Sequence, residues 1–324
     1  MRRTTMAYAV GAIAIVLVTG GVAPAAEAKS ESHASEIAQL ISQVRPQRVT
    51  NERVTPGGGA TAHTGGTVNV PDTSSGQLTV TGTSGAPISV VLPGAGTQGT
   101  TAPDGTVVYG EEAGLTIAVQ SGAGQARVHT VMKDRHAVEG VRYVFPDLAP
   151  ELNPDGSVTL LATSADGAFQ ASVGYIAAPW AADARGRALP TAYRVAGRTL
   201  IQDVVVNGNT AFPVVSDPAF QGDCGYVTCT IRFDRAWTKR MRDYGGDFGL
   251  VEGAVVTAAS AVGGPVGAAV GAAAGVIVGV RAHMYSTQAG DFYANGNCFG
   301  IKFPAGVPGL GWGTQVTWGT YNCA

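Results

Sequence analysis

Leu115-Thr-Ile-Ala-Val119 and, shortly after it, Ala126-Arg-Val-His-Thr-Val-Met132 are short runs rich in Val, Ile and Thr. Such residues suit a pleated, half-buried surface. Runs of the same kind recur on both sides, from about Thr67 to Pro218: Gln77 to Thr81, Ile88 to Leu92, Thr106 to Tyr109, Val138 to Phe145, Val158 to Ala162, Phe169 to Ala177, Ala192 to Val195, Leu200 to Val206 and Phe212 to Val215. Asp104-Gly105, Pro154-Asp155-Gly156, Asp166-Gly167 and Asn207-Gly208 stand between them as hairpin turns. Turn signals this dense predict antiparallel connections. Two stacked sheets bury strands of this length economically, so residues 67–218 are expected to form an all-β sandwich, with a closed barrel as the other solution.

Upstream of this region, Ser35 to Val44 places Ile37, Leu40, Ile41 and Val44 on one helical face, and Pro46 stops the pattern. Residues 47–66, rich in Thr and Gly, read as a flexible linker, so 29–66 is a short helix plus a tether. The first 28 residues have the form of a secretory signal: Arg2 and Arg3, an apolar core from about Tyr8 to Val18, then the small-x-small sites Ala23-Pro-Ala25 and Ala26-Glu-Ala28. The core is shorter than the roughly 18 residues that span a bilayer, which favours cleavage over an anchor. Cleavage after Ala28 takes the formal charge from −2 to about −3, and nothing in that balance points to nucleic acid.

Downstream, residues 219–324 change in character. Tyr226 to Phe233 alternates like a strand, Asp234 can cap a helix over Arg235 to Tyr244, and Cys298 to Phe303 and Thr314 to Tyr321 read as further strands. Between them lies an uncharged run from Gly253 to Val280. Its glycines Gly263, Gly267, Gly271, Gly275 and Gly279 fall at four-residue spacing, which in a helix makes one groove free of side chains. Gly263-Gly264-Pro265 breaks the run, so 248–284 is expected to form a helical hairpin. All four cysteines, Cys224, Cys229, Cys298 and Cys323, lie in this region, and an even number in an exported chain predicts disulfides. Cys229 with Cys298 and Cys224 with Cys323 would bracket the hairpin; a local Cys224 to Cys229 loop is the rival. The overall expectation is α+β: a sandwich followed by a small disulfide-stapled α+β domain.

Few residues point to chemistry. Gly94-Ala-Gly-Thr-Gln-Gly99 has dinucleotide-loop spacing, but no helix follows to receive a phosphate. No nucleophile elbow or zinc-protease helix occurs, and no cofactor or metal site is expected. His129 and His136 flank Lys133-Asp-Arg135 and could serve proton transfer, although a hairpin turn explains the same residues. Asp183, Asp203 and Asp217 fall near strand ends and read as turn and cap residues. Trp180 and Trp237 read as packing residues. A surface contact is better suited to Arg235, Lys239, Arg240 and Arg242 on the basic helix, with Trp312 and Trp318 in a Gly-rich segment.

Ala177-Ala-Pro-Trp-Ala-Ala-Asp-Ala-Arg-Gly-Arg-Ala-Leu-Pro190, Phe212-Pro-Val-Val-Ser-Asp-Pro218, and the tail Cys229-Thr-Ile-Arg-Phe-Asp-Arg-Ala-Trp-Thr-Lys-Arg240 with Cys298-Phe-Gly-Ile-Lys-Phe303 resemble segments of secreted proteins of high-GC Gram-positive, actinobacterial bacteria. In that group an all-β module precedes a variable C-terminal part of no known activity. The resemblance implies export and layout, and it assigns no catalytic residue. Together these features suggest an exported, non-enzymatic binding protein of the cell envelope or extracellular space. The alternative is a membrane-active antagonist whose hairpin inserts into bilayers, the β region serving as its pro-domain. Dominant soluble packing of the hairpin is expected, because Ala and Gly add little transfer free energy.

Overall fold

The computed structural model describes residues 23–45, 66–82, 87–122, 124–138, 140–163, 169–222, 228–244, 287–304, 317–318 and 321–322. The expected hairpin at 248–284, the linker and the core of the leader lie outside them. Among the described residues the chain is mostly antiparallel β.

One sheet has six strands in the order β1 (Thr67–Asn69), β2 (Gln77–Thr81), β3 (Pro87–Val91), β8 (Val141–Val144), β14 (Thr199–Val204) and β13 (Thr191–Ala196). The larger sheet runs β9 (Leu148–Leu152), β10 (Val158–Thr163), β11 (Phe169–Ile176), β16 (Ala219–Gln221), β7 (Gln125–Met132), β6 (Leu115–Gly122), β5 (Val107–Tyr109) and β4 (Gly99–Thr101). β12 (Trp180–Ala182) and β15 (Val214–Asp217) extend it, β15 pairing with β7 just beyond β16. The two sheets stack face to face over one core that includes Leu78, Ile88, Val90, Ile117, Val128, Tyr143, Phe145, Leu160 and Phe220. This is the expected sandwich.

A third layer covers the larger sheet. Helix α1 (Ala23–Val44) is longer than the Ser35 to Val44 segment its apolar periodicity marks, because the Ala-rich stretch before it also favours helix. Its Ala34, Ala38, Ile41 and Val44 pack on Ala102, Val108, Ala118, Val131, Ala182 and Val215. The sheet's small residues let the helix approach closely, and burying Ile41 and Val44 contributes about 1.5–3 kcal/mol each. Cover on both faces explains why β6 is buried from Thr116 to Gly122 instead of alternating.

Several expectations need correction. The turn at Asn207-Gly208 exists, with Asn209 N–H donating to Asn207 Oδ1 at 2.8 Å, but it joins β14 to β15, which belong to different sheets. Lys133 to His136 likewise lead through a 3₁₀ turn (Arg135–Val138) from β7 to β8 in the opposite sheet, and do not close a hairpin. Sheet pairing also crosses the expected boundary at residue 218. β16 is a central strand, and β17 (Thr228–Phe233) pairs with the other end of β11 on the same side, so β16 and β17 are two halves of one interrupted strand. β19 (Gly300–Pro304) and β20 (Thr317–Trp318) then add to β17. The C-terminal segment thus grows directly from the sandwich.

Gly174, in β11, lies where the facing sheet's Ile88 leaves no room for a side chain. A methyl built there would overlap Ile88 Cδ1 from the facing sheet. Gly174→Ala is expected to destabilise by about 1–3 kcal/mol through overpacking, read as a lower urea midpoint with unchanged m-value, and Ile88→Val in the same chain should restore part of it.

Candidate functional site

Alternation on the strands under α1 decides which side chains meet the helix. Even-numbered residues of β7 face the sandwich core, so Arg127, His129 and Val131 face α1; on β15 the same rule turns Val215 and Asp217 that way. Arg45, following the last turn of α1, brings its Nη1 to 2.5 Å from Asp217 Oδ2, and Arg127 Nε lies 3.2 Å from the same oxygen. The Arg45 guanidinium also lies 4.5 Å from the centre of the Trp180 ring. The side chains are 16%, 13% and 3% exposed for Arg45, Arg127 and Asp217, so water screens this triad little. Burial raises the Asp217 carboxyl above its ordinary range, against the opposing pull of Arg45 and Arg127.

His129, fully buried, donates from Nε2 to Gln120 Oε1 at 3.1 Å. Gln120 Nε2 donates to Thr106 Oγ1 at 3.4 Å, and the Thr106 hydroxyl to Asp104 Oδ2 at 3.0 Å. His129 Nδ1 has no hydrogen-bond partner among the described residues. Burial first, then the charges of Arg127 and Arg45, hold the imidazole well below its ordinary value, so it is neutral. Sealed in this way it cannot meet a substrate, and His136 is exposed in the 3₁₀ turn. The two histidines have separate environments.

The three acids have different roles. Asp183 is fully buried and accepts hydrogen bonds from the backbones of Arg185, Arg187 and Ala211 and from the Arg187 guanidinium. Burial alone would raise its carboxyl; the bonds from Arg187, Ala211 and Arg185 bring it down to about 2. It is a turn residue, as expected. Asp203 pairs on the surface with Arg194 at 2.5 Å. Asp217 is neither turn nor cap but the centre of the buried triad. The triad escaped sequence reading, although Arg127 and His129, two residues apart within an apolar strand, were a signal that one face is polar and covered.

The basic helix forms as expected over α2 (Arg235–Tyr244), with Asp234 Oδ1 accepting from Trp237 N–H at 2.7 Å. The cation cluster does not act as one surface. Arg235 turns inward and donates to the carbonyls of Tyr293 (2.8 Å) and Asn297 (3.2 Å), capping the helical residues 287–294. Arg242 stacks 4.4 Å from the Tyr293 ring centre on the other side of the contact, and both it and Lys239 pair with Asp243. Arg240 lies 4.7 Å from the Trp237 ring centre and has no carboxylate partner among the described residues. Since Arg235 spans 293–297 while Arg242 lies against Gly290, α2 and 287–294 run past each other in opposite directions. The chain therefore leaves after Tyr244 and returns before Thr287 at the same end of this helix pair.

Of the cysteines, Cys298 is buried in β18 (Asn297–Cys298), opposite Tyr321 of β21 (Tyr321–Asn322), and is disulfide-bonded. Cys229 lies opposite Phe303 in the β17–β19 ladder, whereas Phe233 N–H bonds the carbonyl of Phe299. Four strand residues, about 13 Å, separate those levels, beyond the roughly 7 Å a disulfide can bridge. The expected Cys229 to Cys298 bond is thereby excluded. Cys224, Cys323, Trp312 and the glycines Gly263, Gly267, Gly271, Gly275 and Gly279 lie outside the described residues; Trp318 ends β20. Among the described residues no helix is long and apolar enough to cross a membrane, and no cluster of His, Cys, Asp and Glu could hold a metal ion. No family model, curated protein or solved structure matches the chain.

Proposed function

We propose that the chain is an exported, non-enzymatic binding protein, in which the sandwich is a rigid scaffold for a contact surface at the outer end of α2. The N-terminal leader supports export, and the likeness to actinobacterial secreted proteins supports an envelope or extracellular setting. The observation that carries the reading is the stack of Arg240 on Trp237, beside exposed Lys239. A cation held on an aromatic ring is pre-organised for an anionic partner. The fused β16–β17 strand holds that surface on the scaffold, and a disulfide at Cys298 supports a stapled C-terminal part. Lys239→Ala and Arg240→Ala together are expected to weaken binding to vesicles containing anionic lipid, or to isolated cell envelope, by about tenfold, each cation near such a surface contributing about 1 kcal/mol less the offset from Asp243. Unchanged sedimentation with either would end the assignment.

The common exit and return point of residues 245–286 favours a second reading, in which the Gly/Ala-rich run is an excursion that enters a bilayer. Dye release from liposomes by the chain with and without residues 29–220 separates the two. A pro-domain of residues 29–220 has to give up the β11 ladder to β17 before release.

A further inference from the structure

We propose that α1 is an acid-released strap: protonation of His129 beneath its C-terminal end undocks the helix from the larger sheet while the sandwich stays folded. The geometry is that of a latch. α1 is joined to the sheet at one end by the Ser30 and Thr100 hydroxyls, 2.5 Å apart, and at the other by Arg45 on Asp217 and Trp180. Between these points its buried apolar contacts are with Ala102, Val108, Ala118, Val131, Ala182 and Val215, and Trp180 packs against the same cluster. The polar end is the one that responds to charge.

The groups around His129 come from each element packed there. α1 supplies Arg45, β7 supplies Arg127, β15 supplies Asp217, and β6 supplies neutral Gln120, which links through Thr106 to Asp104. Tyr143 and Tyr193 approach Asp217 from the six-stranded sheet, the Tyr193 hydroxyl donating to its backbone carbonyl at 3.2 Å, and both are held un-ionised by burial. With His129 neutral, two guanidiniums face one carboxylate. A third positive charge would leave that carboxylate facing three, with Nδ1–H unpartnered and water excluded. When α1 is off, the imidazole is open to solvent and can take its proton.

The sign follows from the direction of each shift. His129 is depressed below 6.5 when docked, so its contribution to docking is present above that pH and is lost as pH falls through it. Asp217 is raised above 3.8, so its ionised form is disfavoured when buried, and that penalty is relieved only as pH falls into the carboxylate range. The two act in opposite senses in different windows. Release is therefore strongest from about pH 6.5 down to the carboxylate range. The face exposed includes Val108, Val131 and Val215, an apolar surface shown only in acid.

Hydrogen exchange of the full exported chain, corrected for intrinsic rates, tests this at pH 7.4 and pH 5.5. Residues 35–44 should lose close to tenfold in protection, one proton's linkage over one pH unit, while β10 and β11 keep theirs. His129→Gln should remove the pH response. Arg45→Met, at the rim of the cluster, should release α1 already at pH 7.4 with β10 and β11 still protected, and it stands as the test should His129→Gln not fold. Equal protection of α1 at both pH values, joint loss of α1 and β10–β11, a wild-type response in His129→Gln, or a fully protected α1 in Arg45→Met would each overturn the proposal.

Discussion

Replacing Asp217 by Ala should lower the free energy of unfolding by about 3–5 kcal/mol, the largest effect expected of any charged residue in the chain. Its carboxylate is 3% exposed and is the shared partner of Arg45 and Arg127. Taken alone, a buried ion pair says little for stability, because desolvation of the charges offsets most of their attraction. Removing one partner is different: two guanidiniums would remain close together in a site with little water, with no acid between them. The fully buried His129 nearby cannot take up the role. The measurement is urea unfolding at pH 7.5 of the wild type, Asp217→Ala, and a chain in which Arg45→Met and Arg127→Met accompany it. The single substitution should be severe, and the triple substitution should recover much of the loss, since apolar side chains of similar length fill the same space without charge. A single substitution costing under about 1 kcal/mol would mean that the triad is solvated.

Phe220→Ala should cost a similar amount, about 3–5 kcal/mol, for an apolar reason. Phe220 is fully buried and its ring centre lies 6.2 Å from that of Tyr143 and 6.3 Å from that of Phe145, both on the facing sheet. Those edge-on and tilted contacts cross between the layers, so the cavity left by truncation cannot collapse without moving both sheets. The backbone at the same place pairs with β7 on one side and β11 on the other. Thermal unfolding followed by circular dichroism should show a single transition at a markedly lower midpoint. Two separate transitions, with only one displaced, would instead mean that the C-terminal part unfolds independently of the sandwich.

Local chemistry made some elements plain from sequence. α2 begins where its cap places it, because Asp234 satisfies the first turn. β2 likewise coincides with its run of alternating residues. The strands that escaped are short or interrupted by proline. β9 contains Pro150, β12 follows Pro179, and Pro218 divides β15 from β16, although Val128 N–H still bonds the Pro218 carbonyl and keeps the two in line. Reading Pro218 as the end of the all-β region missed that β16, just after it, pairs within the same sheet. A dipeptide such as Asn207-Gly208 specifies a turn, but which sheet receives the chain afterwards depends on long-range packing that no local signal contains. The same limit hid the triad. Arg45, Arg127 and Asp217 are far apart in sequence, and only the stacking of α1 on the larger sheet brings them together.

The surface on α2 was legible in composition and not in detail. Four basic residues in one helix read as a patch, yet Arg235 is used to hold residues 287–294 and Arg242 to pack Tyr293, which leaves Lys239 and Arg240 as the outward pair. Side-chain reach along a helix allows either outcome, and the neighbour that decides it is more than forty residues away.

The most direct test of one continuous fold is the fragment of residues 29–218, cut where the sequence suggests a domain ends. Lacking β16, it leaves β7 and β11 without the strand between them, so it should show no cooperative unfolding and should expose apolar surface to a hydrophobic dye. A fragment that unfolds cooperatively, with a midpoint within a few degrees of the full chain, would contradict the continuity of scaffold and C-terminal segment on which the binding proposal is built.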